Sequence, residues 1–260
     1  MRLKAALTNK DIIVVLVCLI FLVINVGAIS SNGRRRAKRI LCLTNLRQLT
    51  LAWTQFAEDN DGFIVNGAPL GSTACQAYTP TYGDHANETP WVGRDWGYIY
   101  YPGQPTLEEC QASAIRDGAL WPYCQDLKLY YCPSGYQGSI RSYGIVDGMN
   151  GMSRSGEGTI AGVHWIKNIA QILNPSDRLV FIDEGWITPD SYAVHFNRES
   201  WWEDPPFRHG GGTSVSFGDG HSEWHRWKGD HVFPETIDDF HDLYWMQIGC
   251  WGELGYTPTY

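Results

Sequence analysis

The most constraining feature of this 260-residue chain lies near its start, where Ile12 to Ile24 form an unbroken run of 13 apolar residues. Continued through Asn25, Val26, Gly27 and Ala28 to Ile29, the run reaches 18 residues. As a helix that is about 27 Å, just enough to cross a bilayer core. Three arrangements fit such a segment. It is a cleaved signal peptide, with a basic start (Arg2, Lys4, Lys10) and Val26-Gly27-Ala28 as a small-x-small site. It is a plain single-pass anchor. Or it continues into the next helix and is kept as an assembly element.

The residues beyond the run favour the third. Arg34 to Phe56 reads as a helix in which Cys42, Leu46, Leu49, Trp53 and Phe56 are spaced 4, 3, 4, 3 and share one stripe. Asn60-Asp61-Gly62 supplies the stop. A hydrophobic helix leading into an amphipathic one, ahead of a globular body, is more than a signal peptide needs. The stripe predicts that the second helix docks on the body.

Charge and cysteine content narrow the function classes. Residues 1–50 hold nine Lys/Arg against the single acid Asp11, and the remaining residues hold 11 bases against 27 acids. An acidic body lacks the basic face that phosphate neutralisation requires, so nucleic acid is excluded as the main partner. Cys18 lies in the apolar run, which leaves Cys42, Cys75, Cys110, Cys124, Cys132 and Cys250 as disulfide candidates that pair in 15 ways. Zinc is the competing reading, but no CxxC or HxxxH-plus-Cys grouping supports it. Disulfides, and with them an oxidising exported location, are the expectation.

In the body, Leu179-Val180-Phe181-Ile182 reads as a buried strand after the turn at Asn174–Asp177. Thr213–Phe217 and His221–Trp227 alternate around Gly218-Asp219-Gly220, a tight hairpin turn. The fold class is therefore α+β, a long N-terminal helix with a membrane half and an amphipathic half packed on an antiparallel sheet. Gly67 to Gln104 reads as a long insertion tied down by Cys75 and Cys110.

A search for catalytic signatures finds no GxSxG, P-loop, HExxH or dinucleotide fingerprint. Period-2 alternation places His221, Glu223 and His225 on one hairpin face, with His209 and Asp219 close by. Two readings stay open there: Asp219 orders the turn through its own backbone while His209 bonds across the hairpin, or the group binds a divalent metal. The sequence argues for no metal site; the candidate ligands of one would be His209, Asp219 and His221. Asp183-Glu184 offers a calcium alternative that no spacing demands. Trp91, Trp96, Trp186, Trp201 and Trp202 lie in Gly/Pro/Asp-rich stretches and read either as the core of irregular loops or as a sugar-stacking or protein-binding surface.

Four blocks, in order, resemble one pseudopilin-like family. Leu7-Thr8-Asn9-Lys10-Asp11 ahead of the apolar run resembles the start of type IV pilins and type II secretion pseudopilins. Arg39–Leu49 followed by Phe56–Gly62, the segment Gly118–Ser134, and Asp242–Gln247 resemble further blocks of the prepilin-type family named for a C-terminal H-x9-DG motif. That motif is present as His209, nine residues, then Asp219-Gly220. At the processing site the chain departs from the family pattern: Ala6 stands where pilins have Gly, Leu7 where they have Phe, and Asp11 where they have Glu.

The resemblance implies a leader over 1–6, a long hydrophobic-then-amphipathic helix over 7–60, and a globular pilin-like domain over 61–260 that carries the signature hairpin His209, Asp219, Gly220. Ala6, Leu7 and Asp11 would be the processing and assembly residues, Asp11 pairing with the α-amine of a neighbouring subunit. It implies a non-enzymatic structural subunit without cofactor, anchored in the inner membrane with its body exported. Assembly would place it at the cell surface or in an extracellular filament, a pilus or secretion pseudopilus. Its partners would be its own copies through the N-terminal helix, the inner-membrane assembly machinery and prepilin peptidase. The cluster Arg34, Arg35, Arg36, Lys38, Arg39 would by the positive-inside rule hold the body in the cytoplasm. That stretch belongs to the family pattern, so the exported orientation is expected. The rival function is a surface-anchored glycan-binding module using the Trp-rich loops, with a polysaccharide as partner.

Overall fold

The computed structural model describes residues 8–27, 31–68, 85, 88–93, 108–151, 165–185, 190–203, 207–229 and 237–259. The chain forms two compact units, residues 1–37 and 38–260. Helix α1 spans Asn9–Gly27 and helix α2 spans Ser31–Asp59, with residues 28–30 outside the described set. Thr8 and Asp11 open α1 as a reciprocal capping box. The Thr8 backbone N–H and hydroxyl donate to the Asp11 carboxylate at 2.8 and 2.7 Å, and the Asp11 N–H donates to the Thr8 hydroxyl at 3.3 Å. The large apolar side chains from Ile12 to Val23 are all exposed, by 48 to 69 %. Among the described residues no helix is long and apolar enough to cross a membrane.

The body, residues 38–260, is α+β. Its sheet has four antiparallel strands in chain order: β1 Tyr143–Ile145, β2 Leu179–Asp183, β3 Gly212–Phe217 and β4 Ser222–Arg226. Tyr143 pairs with Asp183, Leu179 with Phe217 and Gly212 with Arg226, with an irregularity in β2 between Leu179 and Ile182. Every residue of β1, β2 and β3 is buried: in β2 an apolar run without alternation marks a strand covered on both faces, and in β3 small polar residues are buried beside apolar ones.

The cover on one face is the part of α2 that belongs to the body. Cys42, Leu46, Leu49 and Trp53 are fully buried, and Phe56 packs edge-on to Tyr123 at the margin. The stripe meets a strand face of small polar residues: the Thr50 hydroxyl donates to that of Ser216 at 2.7 Å, and Ser222 donates to the Leu43 carbonyl at 2.9 Å. The other face carries α4, Ile237–Trp251, a helix that sequence patterning does not single out. There His225 of β4 stacks on Trp245 at 3.6 Å and meets the Asp242 carboxylate at 3.2 Å. Arg178 donates to the Cys250 carbonyl at 2.8 Å, a cation on the negative end of the α4 dipole. Gly252 ends the helix at φ +87°, and its N–H closes on the Ile248 carbonyl at 2.7 Å. Helix α3 spans Glu108–Arg116.

A polar knot fastens the segment after α2. Glu88 lies 2.9 Å from the His85 Nδ1 and accepts from Lys167 Nζ at 2.7 Å and Asn150 Nδ2 at 2.9 Å. Partial burial opposes its charge, but those three bonds outweigh it and hold the carboxyl down at about 2, against an ordinary 4.5. A carboxyl depressed in the folded state adds stability that is complete above about 4.5 and disappears as pH falls toward about 2. Glu88→Gln is therefore expected to lose less stability than the parent chain across that window. Urea midpoints for both proteins, measured from neutral to acid pH, check this; parallel curves would remove Glu88 from the account.

Candidate functional site

Four segments far apart in the chain converge where α2 crosses the ends of β1 and β2. Cys42 is the first member of the buried α2 stripe. Cys132 follows a short 3-10 turn, Leu127–Tyr130, whose first N–H groups are capped by Asp126. Asn45 of α2 fixes that turn by donating to the Lys128 and Tyr131 carbonyls, each at 3.1 Å, and the Cys132 N–H donates to the Ser142 hydroxyl at 2.8 Å. Asp183 ends β2, a carboxylate on a wholly buried strand. His209 sits in the turn before β3, where Arg208 and Gly212 exchange backbone bonds at 2.5 and 3.1 Å. It adopts φ +51°, a left-handed conformation that few non-glycine residues take, and its side chain is wholly buried.

One ligating atom from each of Cys42, Cys132, Asp183 and His209 lies within 4.8 Å of all the others. Cys132 Sγ is 3.1 Å from His209 Nε2, Cys42 Sγ is 3.5 Å from Asp183 Oδ2, and His209 Nε2 is 3.6 Å from the same carboxylate oxygen. The Tyr143 hydroxyl donates to Cys42 Sγ at 3.4 Å, the Ser134 N–H donates to Cys132 Sγ at 3.4 Å, and the Arg208 guanidinium flanks Asp183 at 3.7 Å.

These neighbours set the protonation of the group. The hydrogen bond from Cys42 pulls the Cys132 thiol down to about 6, against burial and with help from His209. Burial lowers the His209 imidazole, but its bonds to Asp183 and Cys132 prevail and raise it to about 9. Burial, with the bond to Cys132 and the Asp183 charge, pushes Cys42 well up. These influences draw Cys132 toward the thiolate and His209 toward the imidazolium, beside the Asp183–Arg208 pair, and hold Cys42 toward the thiol. Two sulfurs, an imidazole and one carboxylate are a donor set for a thiophilic divalent cation and not for calcium, which takes oxygen.

The structure corrects several expectations. Cys42, Cys124, Cys132 and Cys250 are free thiols, not disulfide partners. Cys42 and Cys132 face Asp183 and His209, Cys124 lies 3.1 Å from the Tyr130 hydroxyl, and Cys250 accepts from the Gly148 N–H at 3.3 Å. Cys110 is disulfide-bonded; Cys75 and most of the Gly67–Gln104 insertion lie outside the described residues. Ala6 and Leu7 lie outside them too, and Asp11 is engaged in the α1 capping box.

At the hairpin, the candidate trio His209, Asp219 and His221 forms no metal-ligand cluster among the described residues. The left-handed turn commits His209 to the Cys42–Cys132 group. His221 is exposed, stacked on Phe217 at 4.2 Å and 2.5 Å from Asp219, while His225 is committed to Asp242 and Trp245. Glu184 turns from Asp183 toward Gly144, whose missing side chain leaves it room. Trp91 is fully buried, stacked on Tyr130 and edge-on to Phe181 at 5.4 Å, so it offers no sugar platform. Trp201 and Trp202 are half-buried against Trp227 and His195, and Trp96 and Trp186 lie outside the described residues.

Asp219 shapes the signature hairpin. Its carboxylate accepts from the His221 N–H at 3.0 Å, and Gly220, at φ +90°, closes the turn on the Phe217 carbonyl at 2.9 Å. Asp219→Ala removes the carboxylate's bond and is expected to cost about 1 kcal/mol. Thermal unfolding reads the change, and an unaltered midpoint would show that the turn does not need the carboxylate. Comparison with known proteins assigns nothing to the chain: no family model matches it, and no curated protein or solved structure is significantly similar.

Proposed function

We propose that this chain is a pilin- or pseudopilin-like structural subunit, without enzymatic activity, held in the inner membrane by its first helix before it assembles into a fibre. The observation that carries the reading is the pairing of an α1 whose apolar side chains are exposed from Ile12 to Val23 with a body that has its own complete core. Exposure on that scale is unfavourable in water, since burying one large apolar side chain is worth about 1.5–3 kcal/mol. Lipid, and then neighbouring copies of α1, are the cover this reading supplies.

The body's design agrees with a structural role. The Cys42–Cys132–Asp183–His209 group lies in the interior, away from the surface groove of about 450 Å³ between Trp165, Asn174, Arg178, Ile248 and Trp251. In this reading Ala6 and Leu7 flank the processing cut, and Asp11, after capping α1 in the isolated subunit, is available to the amine of the next subunit in a fibre.

The test is the intact mass and N-terminal residue of the protein isolated from its own cells. The expected chain begins at Leu7 and carries an N-methyl group. A chain beginning near Ile29 would indicate a secreted soluble protein and end the fibre reading. Retention of Met1 would leave an unprocessed anchor and end it equally.

A further inference from the structure

We propose that Cys42, Cys132, Asp183 and His209 form a structural site for one thiophilic divalent cation, Zn2+ by preference, that staples α2 to the sheet. The geometry suits a tetrahedral ion. Bonds of about 2.3 Å to sulfur and about 2.0–2.1 Å to nitrogen and oxygen imply ligand-to-ligand edges of roughly 3.3–3.8 Å. Three edges of the group measure 3.1, 3.5 and 3.6 Å. The remaining edges are no longer than 4.8 Å.

Charge balance points the same way. A divalent cation held by two thiolates and a carboxylate leaves one net negative charge, and Arg208, 3.7 Å from Asp183, neutralises it. His209 Nδ1 is buried with no hydrogen-bond partner, so the imidazole is engaged through Nε2, the nitrogen that faces Cys132 and Asp183.

The outer contacts are of the kind that orient ligands at such sites. The Ser134 N–H points at Cys132 Sγ, the Tyr143 hydroxyl at Cys42 Sγ, and Arg208 at Asp183. Four protein ligands leave no open coordination position, and the site is buried, so the ion has a structural and not a catalytic part. It joins α2, the segment after the 3-10 turn, the end of β2 and the turn before β3 through direct bonds to a single centre.

The test uses the full-length protein purified under reducing conditions. The expected result is about one zinc per chain by elemental analysis, retained through desalting. Exchange into Co2+ is expected to give the visible ligand-field bands and thiolate charge-transfer absorption of a tetrahedral site. His209→Ala should weaken Co2+ binding by at least about 100-fold, and Tyr143→Phe, which keeps all four ligands, by about 10-fold. Because the wild-type spectrum reports the ligands directly, a variant that fails to fold does not leave the question open. Three results would each overturn the site: no bound metal after incubation with zinc while both thiols titrate as reduced, a Cys42–Cys132 disulfide in non-reducing peptide maps, or a cobalt spectrum unchanged in a folded His209→Ala protein.

Discussion

The body depends on the seam between α2 and the sheet. Apolar burial supplies its strength, since Leu46, Leu49 and Trp53 are wholly withdrawn from water, but apolar contact alone tolerates sliding and rotation. Register comes from polar contacts spaced along the same side of the helix. Arg39 lies over the Trp224 ring at 4.4 Å, the Leu43 carbonyl receives Ser222, and Thr50 meets Ser216. Thr50 and Ser216 are buried and would be costly to leave unsatisfied, the other two contacts lie at the half-buried margin, and a one-residue slip breaks all three together. Small side chains on β3 allow this closeness: Ser214 and Ser216 face the helix, where larger residues would hold it off.

The Cys42 corner concentrates the same principle at higher charge. A carboxylate at the end of a buried strand is unfavourable on its own, and Asp183 is tolerated because Arg208, His209 and two sulfurs surround it. Removing one member of such a group leaves the others buried and uncompensated, a loss of about 3–5 kcal/mol in comparable settings. The left-handed His209 is part of that cost. The turn accepts an unfavourable backbone angle to aim an imidazole inward, and strain of that kind persists only where the surroundings over-determine it.

Much of the scaffold is legible in the sequence, and most of this corner is not. The 4, 3, 4, 3 spacing from Cys42 to Phe56 marks the docking face, the apolar run at Leu179 marks β2, and Gly218-Asp219-Gly220 marks the hairpin. These are local signals, read from neighbours along the chain. The four converging residues are separated by 90, 51 and 26 positions, and no zinc-ligand spacing links them. Cysteine counting therefore treats Cys42 and Cys132 as disulfide candidates, and proximity along the chain groups His209 with the hairpin residues. Two weak clues exist. A carboxylate ends an otherwise apolar strand at Asp183, and His209 is followed by three glycines, which announce a turn able to re-aim a side chain. The tryptophans leave core and surface both open in the sequence, and Trp91 takes the first: loops of irregular structure build their core from large rings.

The two compact units carry opposite physical demands. The body closes its core with its own residues, down to an α2 stripe that buries every apolar member it needs. Residues 12–23 present a continuous apolar surface. Within the body, α2 is held by its buried stripe and by the polar seam with the sheet. The polar seam resists sliding along the helix, and a four-ligand corner resists its rotation.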